Sequence, residues 1–199
     1  MTEGRLGRLL PACLHQAIAD ELPQRLEFYE EWLDPIGLRD GSIGLAPLSA
    51  VLGFLRTEHG SYDAVVGRAG LLAAQWSIAS RPAYQRRLGA SLPLSLRRRF
   101  ALRIARQIVR DVSSTSGAAT KVRRGHATMR VDTSVFCGVR DPQATPLCAF
   151  YRALVMESLR AFQVPADAAI ESCRAVSGTG VACLIRIELA PSKVAAVAA

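Results

Sequence analysis

Apolar side chains recur every four residues at Leu10, Leu14, Ile18 and Leu22, which predicts a helix within residues 9–33 that Pro23 interrupts. Leu26, Tyr29 and Leu33 continue the helical spacing until Asp34-Pro35 stops it, and residues 37–44 read as a glycine-rich, charged loop. A helix over about 47–56 follows. Another opens at Ser61, expected as its N-cap, with Val65, Val66, Ala69, Leu72, Ala73 and Trp76 on one broad apolar face. Gly67, Gly70 and Ala74 make this helix small-sided, so another backbone can approach it closely, and it is expected at the centre of the fold. Past Pro82 and Pro93, a basic helix over about 94–112 carries the stripe Leu96, Phe100, Ile104 and Ile108.

The periodicity changes after Gly117. Residues 121–139 have strand character, Asp141-Pro142 turns the chain into a helix over about 146–162, and two strands over about 168–176 and 180–189 form a hairpin around Ser177-Gly178-Thr179. Helices first, then strand, helix, strand and strand, predict an α+β fold with helices packed on an antiparallel sheet. The expected organisation is an N-terminal helical extension (1–44), a ligand-binding domain (45–190) and a flexible alanine- and valine-rich tail (191–199).

A chain of 199 residues buries enough surface to need neither disulfide nor metal for stability, and 50% hydrophobic with 21% charged residues is ordinary globular composition. No apolar run is long enough for a membrane span and no signal-peptide core follows Met1, so a cytoplasmic location is expected. The net charge of +8 is carried by arginine, Lys121 and Lys193 being the only lysines. The arginines of the basic helix alternate with its apolar stripe, which favours a solvated face over nucleic-acid binding. No nucleophile elbow, dinucleotide-binding glycine motif, P-loop or zincin motif is present, so catalysis finds no support in the sequence. His126, alone among strand residues without a matched acid, reads as surface.

The residue types that carry chemistry lie near the C-terminus. Glu171 and Cys173 are two apart on an expected strand and so share a face, and Cys173 and Cys183 are equidistant from Gly178 across the hairpin. Cys148, at the start of the preceding helix, can close over that face. Three thiolates and a carboxylate suit a tetrahedral zinc ion, although the spacing matches no standard knuckle. Inert buried thiols and a redox-active Cys173–Cys183 pair fit the same residues.

The run Ile170-Glu171-Ser172-Cys173-Arg174-Ala175, then Gly178 and Cys183-Leu184-Ile185-Arg186-Ile187, resembles the closing hairpin of 4-vinyl reductase domains. Pro146-Leu147-Cys148-Ala149-Phe150-Tyr151 is similar to the cysteine-bearing start of that family's last helix, and Asp63 to Gln75 to its earlier small-residue helix. The resemblance spans about 45–190 and is strongest over 146–189. It implies a TRAPP-like fold, a homodimer of bacterial type, and a small hydrophobic or aromatic ligand. It also implies zinc on Cys148, Glu171, Cys173 and Cys183. Trp76, Phe150 and Tyr151 are the candidate ligand-binding residues, although aromatic residues of this kind more often form plain core. Bulky Tyr151-Arg152-Ala153 and Met156-Glu157 stand where the family carries glycines, which implies a reshaped cavity. The alternatives are an accessory or reductase-like role in tetrapyrrole (bacteriochlorophyll) metabolism, or a dimeric interaction module without ligand.

Overall fold

The four-residue apolar spacing of the first half does produce helices. In a computed structural model, residues 6–33, 44–58, 60–113, 116–123, 125–139, 141–178 and 181–190 are described. The expected loop and tail fall largely or wholly outside them. Helix α1 (Leu9–Glu21) buries Leu10, Leu14, Ala17 and Ile18, and Pro23 ends it by opening a 3₁₀ turn, Pro23–Arg25, ahead of α2 (Leu26–Glu30). Helix α3 (Leu45–Thr57) closes with the Thr57 hydroxyl donating to the Phe54 carbonyl at 2.7 Å. Helix α4 (Ser61–Ala79) follows Gly60, whose φ of 75° makes the sharp entry. Gly60 therefore takes the N-cap position expected of Ser61, and Asp63 meets the partial positive charge of the first turn.

Two prolines then start two helices. Pro82 and Pro93 are the N-caps of α5 (Ala83–Ser91) and α6 (Leu94–Val112). The sequence pattern showed only the second, because α5 has no apolar stripe to reveal it. Along α6 the buried set is Ala101, Leu102, Ile104, Ala105, Ile108, Val109 and Val112. Leu96, first in the expected stripe, is 47% exposed. A strict four-residue spacing drifts around a helix of 3.6 residues per turn, so a stripe that faces the core at Ile104 and Ile108 has rotated away by Leu96.

The region read as one strand is a hairpin. Strand β1 (Ala118–Arg123) pairs antiparallel with β2 (His126–Val131), and Gly125 at φ 79° makes the turn. A 3₁₀ turn, Val135–Cys137, leads toward α7 (Ala149–Ala161). Strand β3 (Ala166–Ser172), the short helix α8 (Arg174–Ser177) and strand β4 (Cys183–Leu189) complete the described chain. The sheet order is β1-β2-β4-β3, antiparallel throughout. The last two strands do pair as expected, but both are shorter, and α8 fills the place of a tight turn.

Ala127, Met129 and Val131 of β2 and Cys183, Ile185 and Ile187 of β4 form the buried face of the sheet. Helices α6 and α7 pack on that side, against β1 and β3 respectively, and α4 packs between α7 and α1. One apolar core runs from Leu10 to Leu189. The α+β architecture predicted from the order of elements is thus the one observed.

The close approach expected of the small-residue helix occurs at Gly70. A Cβ built there would lie 2.2 Å from the Phe150 carbonyl oxygen and 2.9 Å from its carbon, so α4 and α7 touch backbone to backbone. At Gly67, three residues earlier, a Cβ would meet nothing within 4 Å. Gly70→Ala is therefore expected to lose about 2–3 kcal/mol in urea unfolding, since backbone cannot step aside. Gly67→Ala should be neutral or gain up to about 1 kcal/mol from helix propensity.

Candidate functional site: a four-cysteine cluster beside an apolar groove

Four chain segments deliver one sulfur each to a single buried point. Cys137 ends the 3₁₀ turn after β2, Cys148 is the N-cap of α7, Cys173 follows the last residue of β3, and Cys183 opens β4. The Sγ of Cys137 lies 3.3 Å from that of Cys148, 3.4 Å from Cys173 and 3.5 Å from Cys183, and Cys148 and Cys173 are 3.1 Å apart. All four sulfurs lie within 4.8 Å of one another, and none of the residues is more than 3% exposed. Four sulfurs each about 2.3 Å from one zinc ion would be about 3.8 Å apart, so the cluster has the size a metal requires.

Three of the four residues expected from the sequence meet here. Glu171 does not: it is exposed on β3, and Cys137 takes its place. The reason is a break in strand alternation. Ile170 pairs with Ile185 but Ser172 pairs with Leu184, so the register slips between them. An extra residue in one strand reverses the faces that follow it. Cys173 is thereby turned into the core, while Glu171, two residues earlier, stays on the outer side. Cys137 was missed because its segment read as strand. The signal available was the cysteine inventory itself: Cys13 belongs to an apolar helix stripe, whereas the other four all lie beyond the helical half.

Neighbouring groups hold the cluster's backbone. The Arg56 guanidinium donates to the Phe136 carbonyl at 3.4 Å, and the Tyr62 hydroxyl donates to the Leu147 carbonyl at 3.3 Å. These are the residues immediately before Cys137 and Cys148. The backbone N–H groups of Val176 and Ser177 both donate to the Cys173 carbonyl at 3.0 Å, tying α8 to the third ligand position. Phe136 stacks on Phe150 with ring centroids 4.9 Å apart, and Tyr151 meets Phe136 edge-on at 5.6 Å, so an aromatic wall keeps water out.

Hydrogen bonds, first with Cys137 and then with Cys148, push the Cys173 thiol below its ordinary range, and the hydrogen bond with Cys137 is the chief influence that raises Cys148. Two buried hydroxyls, on Ser134 and Tyr151, lie beside the cluster without a hydrogen bond of good geometry among the described residues. Burial raises the Tyr151 pKa, and the charges of Cys148, Cys137 and Cys183 add to the effect. An orphaned buried O–H is costly, and thiolate sulfur is a better acceptor than a thiol. Cys13 is separate from the cluster and is an inert core thiol, pushed by burial up to about 12.

The candidate ligand-binding aromatics divide differently. Phe150 and Tyr151 are wholly buried behind the cysteines, and Trp76 is 38% exposed on α4. None of them lines the groove of about 620 Å³ that runs along α7 to the start of β3. Its walls are Leu71, Ala153, Met156, Val164, Pro165 and Ala166. At one end the Glu157 carboxylate, only 7% exposed, accepts from Arg160 Nε at 2.7 Å and Nη2 at 2.8 Å, and from Gln75 Nε2 at 3.2 Å. Gln163, at φ 53°, turns the chain from α7 toward β3 at the groove's mouth. Ala153, Met156 and Glu157, singled out in the sequence only as replacing glycines beside a cavity, line this groove, whereas its other walls and the Glu157–Arg160 pair were not foreseen.

No protein-family model and no curated protein sequence matches this chain. Among solved structures, it is similar to an H-NOX protein from S. oneidensis in the Fe(II)NO ligation state, at 12% identity and TM-score 0.61, covering 94% of this chain and 100% of that one. The phenol-responsive sensory domain of the transcription activator PoxR with phenol matches at 12% identity and TM-score 0.49, covering 73% and 74%. A trafficking protein particle complex subunit 3 from Naegleria fowleri, covalently bound to palmitic acid, matches at 10% identity and TM-score 0.49, covering 74% and 95%. At these identities the likeness is one of fold.

Cobalt(II) titration of the reduced protein reads the donor set directly. One equivalent should give thiolate-to-metal charge transfer and intense tetrahedral visible bands. Cys137→Ser should weaken both strongly, and Glu171→Gln should leave them unchanged; the opposite pattern would place the carboxylate in the site.

Proposed function

We propose that this chain is a small-molecule-binding domain of 4-vinyl-reductase, TRAPP-like type, stapled by a structural zinc ion on Cys137, Cys148, Cys173 and Cys183. The observation that carries the metal assignment is the convergence of four buried sulfurs within 4.8 Å. Four protein donors leave no open coordination position, so the ion's work is structural, joining the start of α7 to the ends of β3 and β4. The bound ion would neutralise thiolate charge, and the Ser134 and Tyr151 hydroxyls would be available as donors to the sulfurs around it.

The ligand site in this reading is the groove along α7. Its volume falls within the range of small-molecule pockets, and its apolar walls with one polar end suit a small hydrophobic or aromatic molecule carrying a single polar group. Arg160 is 71% exposed, so it can swing from Glu157 when a ligand donor takes its place. The shared fold with an H-NOX protein, solved in a ligated state, supports a ligand-sensing use. The reading is of a homodimer that binds rather than catalyses.

Native mass spectrometry of freshly purified protein, with metal analysis on the same sample, tests this. The expected result is one zinc per chain and a small organic mass, with the organic mass absent from Ala153→Trp, which fills the groove. Zinc-free protein two hydrogens lighter than its fully reduced mass would instead make the cysteines a redox pair. A pigment-like visible absorbance that copurifies would favour the tetrapyrrole role. A second expectation concerns the hydroxyl behind the cysteines: Tyr151→Phe should fold normally yet bind zinc about tenfold more weakly, as seen by chelator competition.

A further inference from the structure

The most lopsided charge distribution in the molecule lies away from both the cysteines and the groove. Between residues 81 and 110 there are nine arginines and no aspartate or glutamate, one positive charge more than the net +8 of the whole chain. This stretch is α5 and most of α6. None of the nine arginines forms an ion pair among the described residues. Arg86, Arg87, Arg99 and Arg103 are exposed.

The same surface exposes apolar side chains. Tyr84 and Leu88, four apart on α5 and therefore stacked on one flank, are each 61% exposed, and Leu96 is 47% exposed. Helix α5 has little to hold it to the core. Its main contact is with α6, and among its described residues the one buried position is Gly89, where a Cβ would lie 2.5 Å from the Phe100 ring and 2.7 Å from the Phe162 ring. The helix thus exposes its tyrosine and leucine side chains beside arginines that make no ion pair among the described residues.

We propose that α5 and the first turns of α6 form a docking surface for the anionic headgroups of a lipid bilayer. Arginines without acidic partners complement a negatively charged leaflet, and the guanidinium groups pair with phosphate oxygens. The apolar side chains decide between polyanions. A nucleic-acid backbone has no use for Leu88 and Leu96, whereas the interfacial zone of a bilayer accepts leucine below the headgroups and tyrosine at their level. Among the described residues no helix is long and apolar enough to cross a membrane, so the contact is peripheral. The inference is independent of the zinc and of the groove.

Vesicle flotation tests it, using the full chain at low salt. The protein should float with vesicles of phosphatidylcholine containing about one-third phosphatidylserine, and remain behind with pure phosphatidylcholine. Binding should fall steeply as salt is raised. The Arg99→Glu/Arg103→Glu variant should lose at least about tenfold in affinity, since it reverses two exposed charges on the same helix face as Leu96. Tyr84→Ser/Leu88→Ser should lose a comparable factor with the arginines intact. All four positions are exposed, so unchanged thermal unfolding of the variants serves as the folding control. Failure to float with anionic vesicles overturns the proposal. So does binding that is indifferent to the Tyr84 and Leu88 replacements and is abolished by a DNA duplex, which would mark a polyanion site.

Discussion

Four sulfur atoms from four separate chain segments share one buried volume, and the geometry of the C-terminal half follows from how they are brought there. The β-bulge between Ile170 and Ser172 exists on the path to Cys173. The short α8 leaves from that cysteine's carbonyl, and β4 begins at Cys183 beside it. Helix α7 starts on Cys148, and the 3₁₀ turn stops on Cys137. Packed as thiols, these groups crowd one buried space with only weak hydrogen bonds between them. Packed around a cation, they become a cross-link among the sheet, a loop and a helix, which contacts between small apolar side chains could not supply with the same directionality.

Helix α7 connects this point to the groove. Its first residue follows Cys148, its first turns bury Phe150, Tyr151 and Leu154, and its later turns present Met156, Glu157 and Arg160 to the groove. Gly70 lets α4 lie directly on it, so the helix has little freedom to shift sideways. In the proposed reading, a ligand that displaced Arg160 from Glu157 would act on a helix whose first turn starts at the cysteine cluster, and the cluster would set the position of the groove wall.

The sequence was most legible where one face of an element meets the core. The α1 stripe, the central small-residue helix and the alternation of β4 all follow from period and residue size, and the order of elements indicated the α+β class. Legibility failed where local geometry overrides the period. A turn at Gly125 divides one apparent strand into two, and a one-residue bulge separates Glu171 from Cys173. Neither a left-handed glycine nor a bulge leaves a mark in hydrophobicity. Cys137 lies in a segment that read as strand but forms a 3₁₀ turn, so only the cysteine inventory, and no local period, pointed to its convergence with three distant cysteines. Helix α5 was hidden for the opposite reason: it buries almost nothing, and burial is what makes an amphipathic helix readable.

If the four cysteines act together as one metal site, zinc K-edge X-ray absorption of the purified protein will show it, because the spectrum counts the atoms around the ion. A single first shell of four sulfurs at about 2.3 Å is expected, with no nitrogen or oxygen component. A first shell that mixes three sulfurs with one oxygen at about 2.0 Å would return the carboxylate to the site and contradict the assignment of Cys137.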